Sequence, residues 1–488
     1  MKKFLGIILI ISLMVTSLFV TVWAADTPSD DAPAPAPAAD VVLRISAEKP
    51  GKKYPVVIAD HTNFADGWNA AMELAISDQM RNYDRVVVDL YANWTATDGE
   101  FSNDGKGFYW DAIYFPYDVK VTLNMNGHTI DRALEDSEEN GEVMCVDDGA
   151  DVIINNGTIT GGHSDNGAGG IHINDKATVT LNNVHIVGNA ANEDDGGGIA
   201  VYDGATLIMN GGSFVNNSVD GLFIQFYSEF YGGAVYVEHS TAIFNDVEFK
   251  NNNLTQHANF GAAIYADDSK ITINRCTFDG NGVENQDIDI APAYSVIHGD
   301  DTSIKVIEST FTNNGSEIRV PDGIGYSGLF ILEDSTLIIE KSEFRNNYAH
   351  CIINDADESL ICVTDTNFSD NNSSVIRGDS DTSEKSFFKG CTFNNNTNAS
   401  TGYASFCLDK NLLTFENCSM GNSTFSKNIN VKFVNSDVKN GVGSIFGDGS
   451  LTMIVSITAL IVSVAAIGVS ITTNKKISSS KASVKDDE

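Results

Sequence analysis

Acidic residues recur at one position relative to an apolar anchor in this 488-residue chain, and they are its first candidates for chemistry. Each lies 10 to 12 residues before an Ile or a Phe. The acids are Asp148, Asp175, Asp203, Glu238, Asp268, Asp301, Asp334, Asp357 and Asp381. Carboxylates stacked about 4.8 Å apart repel each other by about 0.9 kcal/mol even in bulk water. A single column of such acids therefore needs an explanation.

Two explanations for this acidic column remain open. Solvent-exposed turns suit Asp and let the charged side chains splay apart. Alternatively, Ca²⁺, which tolerates irregular oxygen ligation, bridges neighbouring repeats. The candidate metal ligands are Asp148, Asp175, Asp203, Asp268, Asp301 and Asp334. Ca²⁺ is the one cofactor that the sequence suggests.

An aromatic segment between Asp220 and Tyr231 is the candidate ligand-binding site, because Phe and Tyr rings can stack on sugar rings. The candidate residues are Phe223, Phe226, Tyr227, Phe230 and Tyr231. Polysaccharide, or another ligand on a host or neighbouring cell surface, is the expected partner.

His298 stands close to the adjacent acids Asp300 and Asp301. This combination can carry out general acid–base catalysis if a substrate groove crosses it. However, such acidic pairs recur in neighbouring repeats without a His. We therefore predict no catalytic residue from this spacing.

These residues belong to an internal repeat marked by a Phe with an Asn three residues later. The repeat length is 24 to 35 residues, which is typical of a solenoid coil. The anchors are Phe214, Phe249, Phe278, Phe311, Phe344, Phe368 and Phe393, with Ile130, Ile159, Ile186 and Met420 as weaker relatives.

Each repeat contains three short apolar strands separated by polar turns, which predicts an all-β parallel β-helix. Alternation supports this: Ile271 and Ile273 point inward while Thr272 points outward. Each anchor Phe should stack on the next. The Asn column is interpreted as structural, because Asn tolerates left-handed backbone and can hydrogen bond to the neighbouring coil.

The two ends of the chain predict export and a membrane anchor. Residues 1–24 have the pattern of a signal peptide, and residues 25–40 form a Pro/Ala/Asp linker. Leu451 to Thr472 contains no charge and is long enough to cross a bilayer. Lysines in residues 473–488 place this tail in the cytoplasm by the positive-inside rule. The expected location is the cell membrane, with a single span and an extracellular ectodomain.

The net charge of the chain excludes one class of binding partner. With 66 acidic and 30 basic residues, the formal net charge is −36. Such a field repels phosphate backbones, so we expect no nucleic acid partner.

Between the linker and the solenoid, residues 41–119 are interpreted as an N-terminal cap region, and residues 120–450 as the β-helix. Trp68, Ala71, Met72, Ala75 and Ile76 have the spacing of a helix with one apolar face. A capping helix there would cover strand edges that a solenoid end exposes.

Seven cysteines spread over the chain do not indicate a small disulfide-bonded scaffold. Cys391 and Cys418 each lie two residues before an anchor in consecutive coils. Their Cα atoms would then be about 5 Å apart, within disulfide range, and the sequence leaves their oxidation state open.

The anchors, together with a Gly-rich motif, resemble polymorphic membrane protein repeats and, more widely, the pectin-lyase-like right-handed β-helix proteins. The motif appears as Gly169-Gly-Ile-His, Gly197-Gly-Ile-Ala, Gly232-Gly-Ala-Val and, in degraded form, Gly261-Ala-Ala-Ile. The resemblance covers roughly residues 120 to 440. It implies a right-handed coil and an adhesin-like surface protein.

The enzyme motifs of the resembled proteins are incomplete. Pectate lyases carry an R-x-P-x-x-R motif, whereas Arg319-Val-Pro321 is followed by Ile324 at the second Arg position. The G-H-G and R-I-K motifs of polygalacturonase-like hydrolases are missing. We therefore expect an adhesin or a carbohydrate- or ligand-binding stalk. The alternative is a polysaccharide lyase or glycoside hydrolase acting on extracellular acidic or neutral polysaccharide.

Overall fold

The computed structural model describes thirteen ranges of the chain. They are residues 33–97, 107–109, 112–134, 140–192, 194–221, 230–256, 260–283, 294–315, 327–378, 385–397, 404–408, 412–426 and 430–437. In these ranges the chain winds into stacked coils whose strands form three sheets. The architecture is all-β and parallel, as predicted.

Sheet 1 supplies the first strand of each coil and has 12 strands in the described ranges. All its pairings are parallel except that of the first two strands. The strands are Phe108–Tyr109, Ala112–Phe115, Met144–Val146, Ile171–Ile173, Ile199–Val201, Val235–Glu238, Ile264–Asp267, Tyr294–Asp300, Ser327–Glu333, Tyr348–Asp357, Asn372–Gly378 and Phe406–Leu408.

Sheet 2 follows the acidic turn and contains two neighbouring parallel ladders, which three long strands join. The long strands are Asp151–Thr160, Thr178–Val187 and Thr206–Val215. The first ladder also contains Arg85–Leu90, Lys120–Asn124, Thr241–Asn245, Lys270–Asn274, Ser303–Ile307, Thr336–Glu340, Leu360–Thr364, Phe387–Lys389, Leu412–Glu416 and Asn430–Val434. The second contains Trp94–Thr95, Thr129–Asp131, Glu248–Lys250, Thr277–Asp279, Thr310–Thr312, Glu343–Arg345, Asn367–Ser369 and Thr392–Asn394.

Sheet 3 is short and, in the five coils where it is described, leads the chain back to sheet 1. Its five strands in the described part of the chain are parallel. They are His163–Ser164, Ala190–Asn192, Ser218–Gly221, Asn253–Gln256 and Gly282–Val283.

The interior of the coil is one continuous apolar core. The anchor phenylalanines form its central stack, as predicted, because their strands pair in register: Phe278 with Phe311, and Phe311 with Phe344. The ring centroids of these two pairs are 4.4 and 4.6 Å apart, and the rings are nearly parallel. Each ring therefore buries both of its faces against its neighbours.

The Asn three residues after each anchor is buried and bonds to the coils on both sides. Asn314 Nδ2 donates to Phe278 O at 2.9 Å and to Asn347 Oδ1 at 3.1 Å. Asn281 donates its backbone N–H to Asn314 Oδ1 at 3.1 Å. The same bonds recur along the column, so the structural interpretation of the Asn column is correct.

The N-terminal end changes from parallel to antiparallel pairing. Arg85–Leu90 pairs in parallel with Lys120–Asn124, so the parallel ladder begins inside the region 41–119 that the sequence assigned to a cap. Leu43–Glu48 then pairs antiparallel with Arg85–Leu90, and Val56–His61 pairs antiparallel with Leu43–Glu48. The outermost strand of this sheet end is therefore Val56–His61.

The one α-helix in the described ranges, Phe64–Ala75, lies at this end, followed by a 3₁₀-helix at Asp78–Asn82. Asn63 begins the α-helix, since its side chain accepts the N–H of Asp66 at 2.9 Å.

The predicted apolar face of this helix is buried at Trp68, Ala71 and Met72. Ala75 is half-buried, and Ile76, which follows the helix, is exposed, so the prediction was wrong for Ile76. The helix ends at Ala75, and Ile76 therefore lies beyond the buried turns.

Both predicted membrane-targeting segments, residues 1–24 and Leu451 to Thr472, lie outside the described ranges. Among the residues that the structure describes, no helix has the length and apolar character needed to cross a bilayer.

Candidate functional site

The outer side of sheet 1 carries one side chain from the middle of each strand, because alternate residues of a strand face opposite sides. In the strand Ile171–Ile173, the two isoleucines enter the core and His172 points outward. Strand pairing aligns one outward residue per coil. This column runs Tyr114, Cys145, His172, Ala200, Tyr236, Tyr265 and His298.

Aromatic rings cluster around the last three residues of this column. Tyr236 and Tyr265 stack with centroids 5.5 Å apart, and Tyr265 stacks on His298 at 4.9 Å. Tyr231 covers Tyr265 at 4.1 Å and lies 6.1 Å from Phe260. We call these five residues the aromatic face. Tyr236 and Tyr265 form its buried layer, while Tyr231 and Phe260 are half-buried.

A glycine after each outer ring makes the bend that brings it over the sheet. Gly232 and Gly261 follow Tyr231 and Phe260, with φ of 76° and 75°. A Cβ on either would lie 2.6 Å from a backbone oxygen, that of Val235 or Ile264. Only Gly meets both demands without strain. The glycines of the repeat motif therefore position the aromatic face.

Of the five predicted ligand-binding residues, Tyr231 belongs to the aromatic face. Phe230 is half-buried against a separate apolar cluster beside sheet 3. Phe223, Phe226 and Tyr227 lie outside the described residues. The sequence prediction missed Tyr236 and Tyr265, although both follow the Gly-rich motif at the same distance in consecutive repeats.

A second group of polar residues lies next to the aromatic face. Glu142 Oε2 and His172 Nδ1 are 3.5 Å apart, and neither atom makes a hydrogen bond. His172 Nε2 lies 3.1 Å from Asn174 Oδ1, so Nε2 carries the proton of the neutral ring and Nδ1 keeps its lone pair. Glu142 is 5% exposed. Burial raises the pKa of its carboxyl well above the usual value and lowers the pKa of His172.

Asp194 and Asp195 connect this group to the aromatic face. Asp194 Oδ2 accepts the N–H of Gly167 at 2.7 Å, and Asp195 Oδ1 accepts the N–H of Tyr231 at 2.6 Å. Burial raises the pKa of Asp195 to about 8. Burial therefore favours the neutral form of Glu142 and of Asp195, and the neutral form is the one in which a carboxyl donates a hydrogen bond or a proton.

The sequence candidate His298 and the buried thiol of Cys145 both lie in the outward column, in different surroundings. Burial lowers the pKa of His298 to about 3, and its ring packs between Tyr265 and Phe260 rather than bonding to an acid. Cys145 pairs in register with His172, but burial and the acids Glu142 and Asp147 raise the pKa of its thiol well above the usual value. Neither side chain is suited to act as a base or nucleophile at neutral pH.

The acidic turns form two adjacent rows rather than one. The first row contains Glu238, Asp267 and Asp300, which pair in register at the ends of sheet 1 strands. The second row contains the predicted metal ligands Asp268, Asp301 and Asp334, whose backbones are left-handed with φ of 39°, 45° and 47°. Asp tolerates this conformation better than most residues, which favours the turn explanation.

The spacing argument placed Glu238 and Asp357 in the second row, and this was wrong. The turn after Val237 is one residue shorter than the turn after Val201, so His239 takes the second-row position. Its Nδ1 lies 3.4 Å from Asp203 Oδ1. A register shift before Glu333, which pairs with Asp357, moves Asp357 in the same way.

Among the described residues, no group of three or more His, Cys, Asp and Glu side chains is close enough together to hold a metal ion. This holds for Asp148, Asp175 and Asp203 as well as for Asp268, Asp301 and Asp334. Repulsion is nevertheless evident: burial and the carboxylates of Asp267, Asp301 and Asp334 raise the pKa of Asp300. The carboxylates of neighbouring turns are therefore close enough to repel one another.

We expect the triple variant Asp268→Asn, Asp301→Asn, Asp334→Asn to be more stable than the parent by about 1 to 2 kcal/mol at low salt. Three like charges are removed, while Asn keeps the left-handed turns. Melting curves in NaCl and CaCl₂ at matched ionic strength measure the effect, which should shrink equally in both salts. Coordination would instead stabilise only the parent, by about 2.7 kcal/mol at a hundredfold excess of Ca²⁺ over Kd.

Cys391 and Cys418 are stacked in neighbouring coils, as their spacing predicted, and both are buried free thiols. The N–H of Ser419 donates to Cys391 O at 2.9 Å, which fixes the register. Each thiol donates to a backbone carbonyl at 3.4 Å, Cys391 to Lys389 O and Cys418 to Glu416 O. The interaction of the two neighbouring thiols raises the pKa of Cys391 and lowers that of Cys418.

The comparisons with known proteins agree with this architecture. Residues 119–311 match the family described as "Right handed beta helix region". Neither the curated proteins nor the solved structures contain a match to the chain. The parallel ladder extends beyond the matched residues on both sides, from Arg85–Leu90 to Asn430–Val434. Residues 119–311 are thus a right-handed parallel β-helix, and coils of the same kind continue the stack in both directions.

Proposed function

We propose that this protein is a membrane-anchored cell-surface β-helix that works as an adhesin or a carbohydrate-binding stalk, with the aromatic face as its binding site. The observation that carries this proposal is the pair of half-buried rings, Tyr231 and Phe260, held over a buried layer of Tyr236 and Tyr265. Rings held rigidly in this way bind sugar faces without losing much side-chain freedom.

Polar groups beside the rings supply the directional part of the interaction. Glu238 and Asp267 follow Tyr236 and Tyr265 by two residues and so share their outward side. Asp195 lies on the other side, bonded to the backbone of Tyr231. Sugar hydroxyls that meet an apolar ring flanked by carboxyl groups can stack and hydrogen bond at once.

The test measures retention of the full chain, solubilised in detergent, on a panel of immobilised polysaccharides. Tyr231→Ala should weaken retention of the bound polysaccharide about tenfold, since it removes the outer ring. Tyr54→Ala is the matched control, because Tyr54 lies on the N-terminal hairpin, away from the face. Equal retention of both variants would contradict the proposal, as would a panel without any bound member.

The second candidate function is a polysaccharide lyase or glycoside hydrolase. It is favoured by Glu142 and Asp195, two carboxyls with raised pKa next to Asp194, because enzymes that cleave sugars use acids of unequal pKa. The same panel tests it, through new reducing ends or new unsaturated ends. Loss of those products in Glu142→Gln, with retention unchanged, would identify an enzyme.

The remaining parts of the chain fit display at a surface. We propose that residues 1–24 direct export, that the helix Phe64–Ala75 caps the solenoid, and that the repeats are of the polymorphic membrane protein type. Packing of Trp68 edge-on against Phe115 supports the capping role.

We expect a chain that ends at Gly449 to be released into the medium, since Leu451 to Thr472 is the only proposed anchor in the mature protein. Immunoblots of medium and membrane fractions after a salt wash measure this. The full chain is the control and should stay with the membranes. A shortened chain that remains membrane-bound would mean that another segment holds it.

A further inference from the structure

Carboxyl groups border the aromatic face on both edges. On one edge, Glu238, Asp267 and Asp300 pair in register, each two residues beyond an outward ring of Tyr236, Tyr265 or His298. On the other edge, Asp195 holds the backbone of Tyr231, and Asp194 lies beside it. A ligand on the rings therefore meets acids on either side.

Within the described residues, these acids lack basic partners. No Lys or Arg forms an ion pair with Glu238, Asp267, Asp300, Asp194 or Asp195; the described ion pairs of Lys and Arg involve other acids. The Nδ1 atom of His239 lies 3.9 Å from Glu238 Oε1. The carboxylates of Glu238, Asp267, Asp300 and Asp194 are thus not paired with Lys or Arg, whereas Asp195, whose pKa burial raises to about 8, adds a neutral carboxyl to the site.

Two buried polar atoms of the same surface also make no hydrogen bond. His298 is 2% exposed, lies on the outward column, and its Nδ1 has no hydrogen-bond partner. Glu142 Oε2, at the other end of the site, is also buried and makes no hydrogen bond. Buried polar atoms normally have partners, so each of these two atoms leaves a hydrogen bond unmade at this surface.

We infer that this face takes a glycan that carries ammonium groups, such as a polymer of glucosamine, and rejects polymers of uronic acids. This inference rests on the proposed carbohydrate-binding function. Ammonium groups are attracted both to carboxylates and to the faces of tyrosine rings. A uronate in the same place brings a negative charge next to the row Glu238, Asp267 and Asp300 and is repelled by these carboxylates. Acetylation of the amine removes the attraction while keeping the sugar ring.

The test compares oligomers of equal length of glucosamine, N-acetylglucosamine and galacturonic acid, titrated calorimetrically into the full chain in detergent. At about pH 5.5, below the usual pKa of an amine, glucosamine should bind at least about tenfold more tightly than N-acetylglucosamine. Its affinity should fall with added salt. The galacturonate oligomer should show no binding.

Variants separate the acidic edge from general charge. Glu238→Gln, Asp267→Asn, Asp300→Asn together should weaken glucosamine binding about tenfold and leave N-acetylglucosamine binding unchanged. The matched control Glu248→Gln, Asp279→Asn, Glu308→Gln removes as many charges from two strands of sheet 2 and the turn after Ser303–Ile307, and it should change neither affinity. Far-UV circular dichroism melts establish that both variants fold.

Each result decides between the two proposals. No binding of any oligomer would overturn both the carbohydrate-binding function and this inference. Equal or tighter binding of N-acetylglucosamine or galacturonate would overturn the inference and leave the binding function standing. An oligolysine of the same charge that binds as tightly as the glucosamine oligomer would also overturn it, since charge alone would then explain the affinity.

Discussion

Replacing Phe311 by Ala is expected to lower the free energy of unfolding by about 3 to 5 kcal/mol. Phe311 is fully buried in the middle of the anchor stack. Its ring lies 4.4 Å from that of Phe278 and 4.6 Å from that of Phe344, so the cavity would remove contacts on both sides. Urea unfolding, followed by circular dichroism of the chain that ends at Gly449, measures the change.

Phe387→Ala is the matched control for this prediction. Phe387 belongs to sheet 2 as well, but it is half-buried, and its neighbour Phe388 occupies the core position. The control should cost less than half as much as Phe311→Ala. A loss below about 1 kcal/mol for Phe311→Ala would mean that its ring does not carry the packing that the stack implies.

Much of the fold can be predicted from the sequence because its determinants are local and repeated. A Phe followed three residues later by Asn recurs in coil after coil. The Phe fixes the inward side of a strand, and the Asn fixes the turn that follows. Neighbouring coils pair in register. Aligning Phe278 with Phe311 correctly therefore also aligns the other anchors of the stack.

The N-terminal end was harder to predict, because it does not repeat. Arg85–Leu90 pairs in parallel with Lys120–Asn124, yet no Phe–Asn anchor precedes that pairing. Arg85 is held there by contacts distant in sequence: its Nη1 donates to Val121 O and to Asp151 O. Contacts of this kind leave no periodic signal in the chain.

The candidate site was only partly predictable, since its residues meet through the stacking of coils. Tyr231 was recognised from its aromatic neighbours in sequence, but Tyr236 and Tyr265 reach it from sheet 1. Glu142 occupies a position where the next coils have Gly169 and Gly197, so it interrupts a glycine column instead of joining an acidic one. The turn after Val237 is one residue shorter than the turn after Val201. His239 therefore occupies the second-row position that the sequence spacing assigned to Glu238.

The Asn column supports a second large prediction, for Asn314→Ala. Asn314 is fully buried and accepts hydrogen bonds from the backbone N–H and the side-chain Nδ2 of Asn281. It also donates to Phe278 O. Alanine leaves these groups of Asn281 and Phe278 without their partner inside the coil. Because each buried unsatisfied group costs about 1 to 3 kcal/mol, we expect a loss of about 2 to 5 kcal/mol in urea unfolding.

Two further variants separate the causes of that loss. Asn313→Gly removes the adjacent exposed side chain, which donates to Asp279 Oδ1, at a residue whose φ of 55° suits Gly. It should change stability by less than about 1 kcal/mol. Asn314→Asp keeps the acceptor for Asn281 but loses the donor to Phe278 O and buries a charge, so its cost should rise with pH. If Asn314→Ala were as mild as Asn313→Gly, the coils would be held by strand pairing and core packing, with the Asn column adding little.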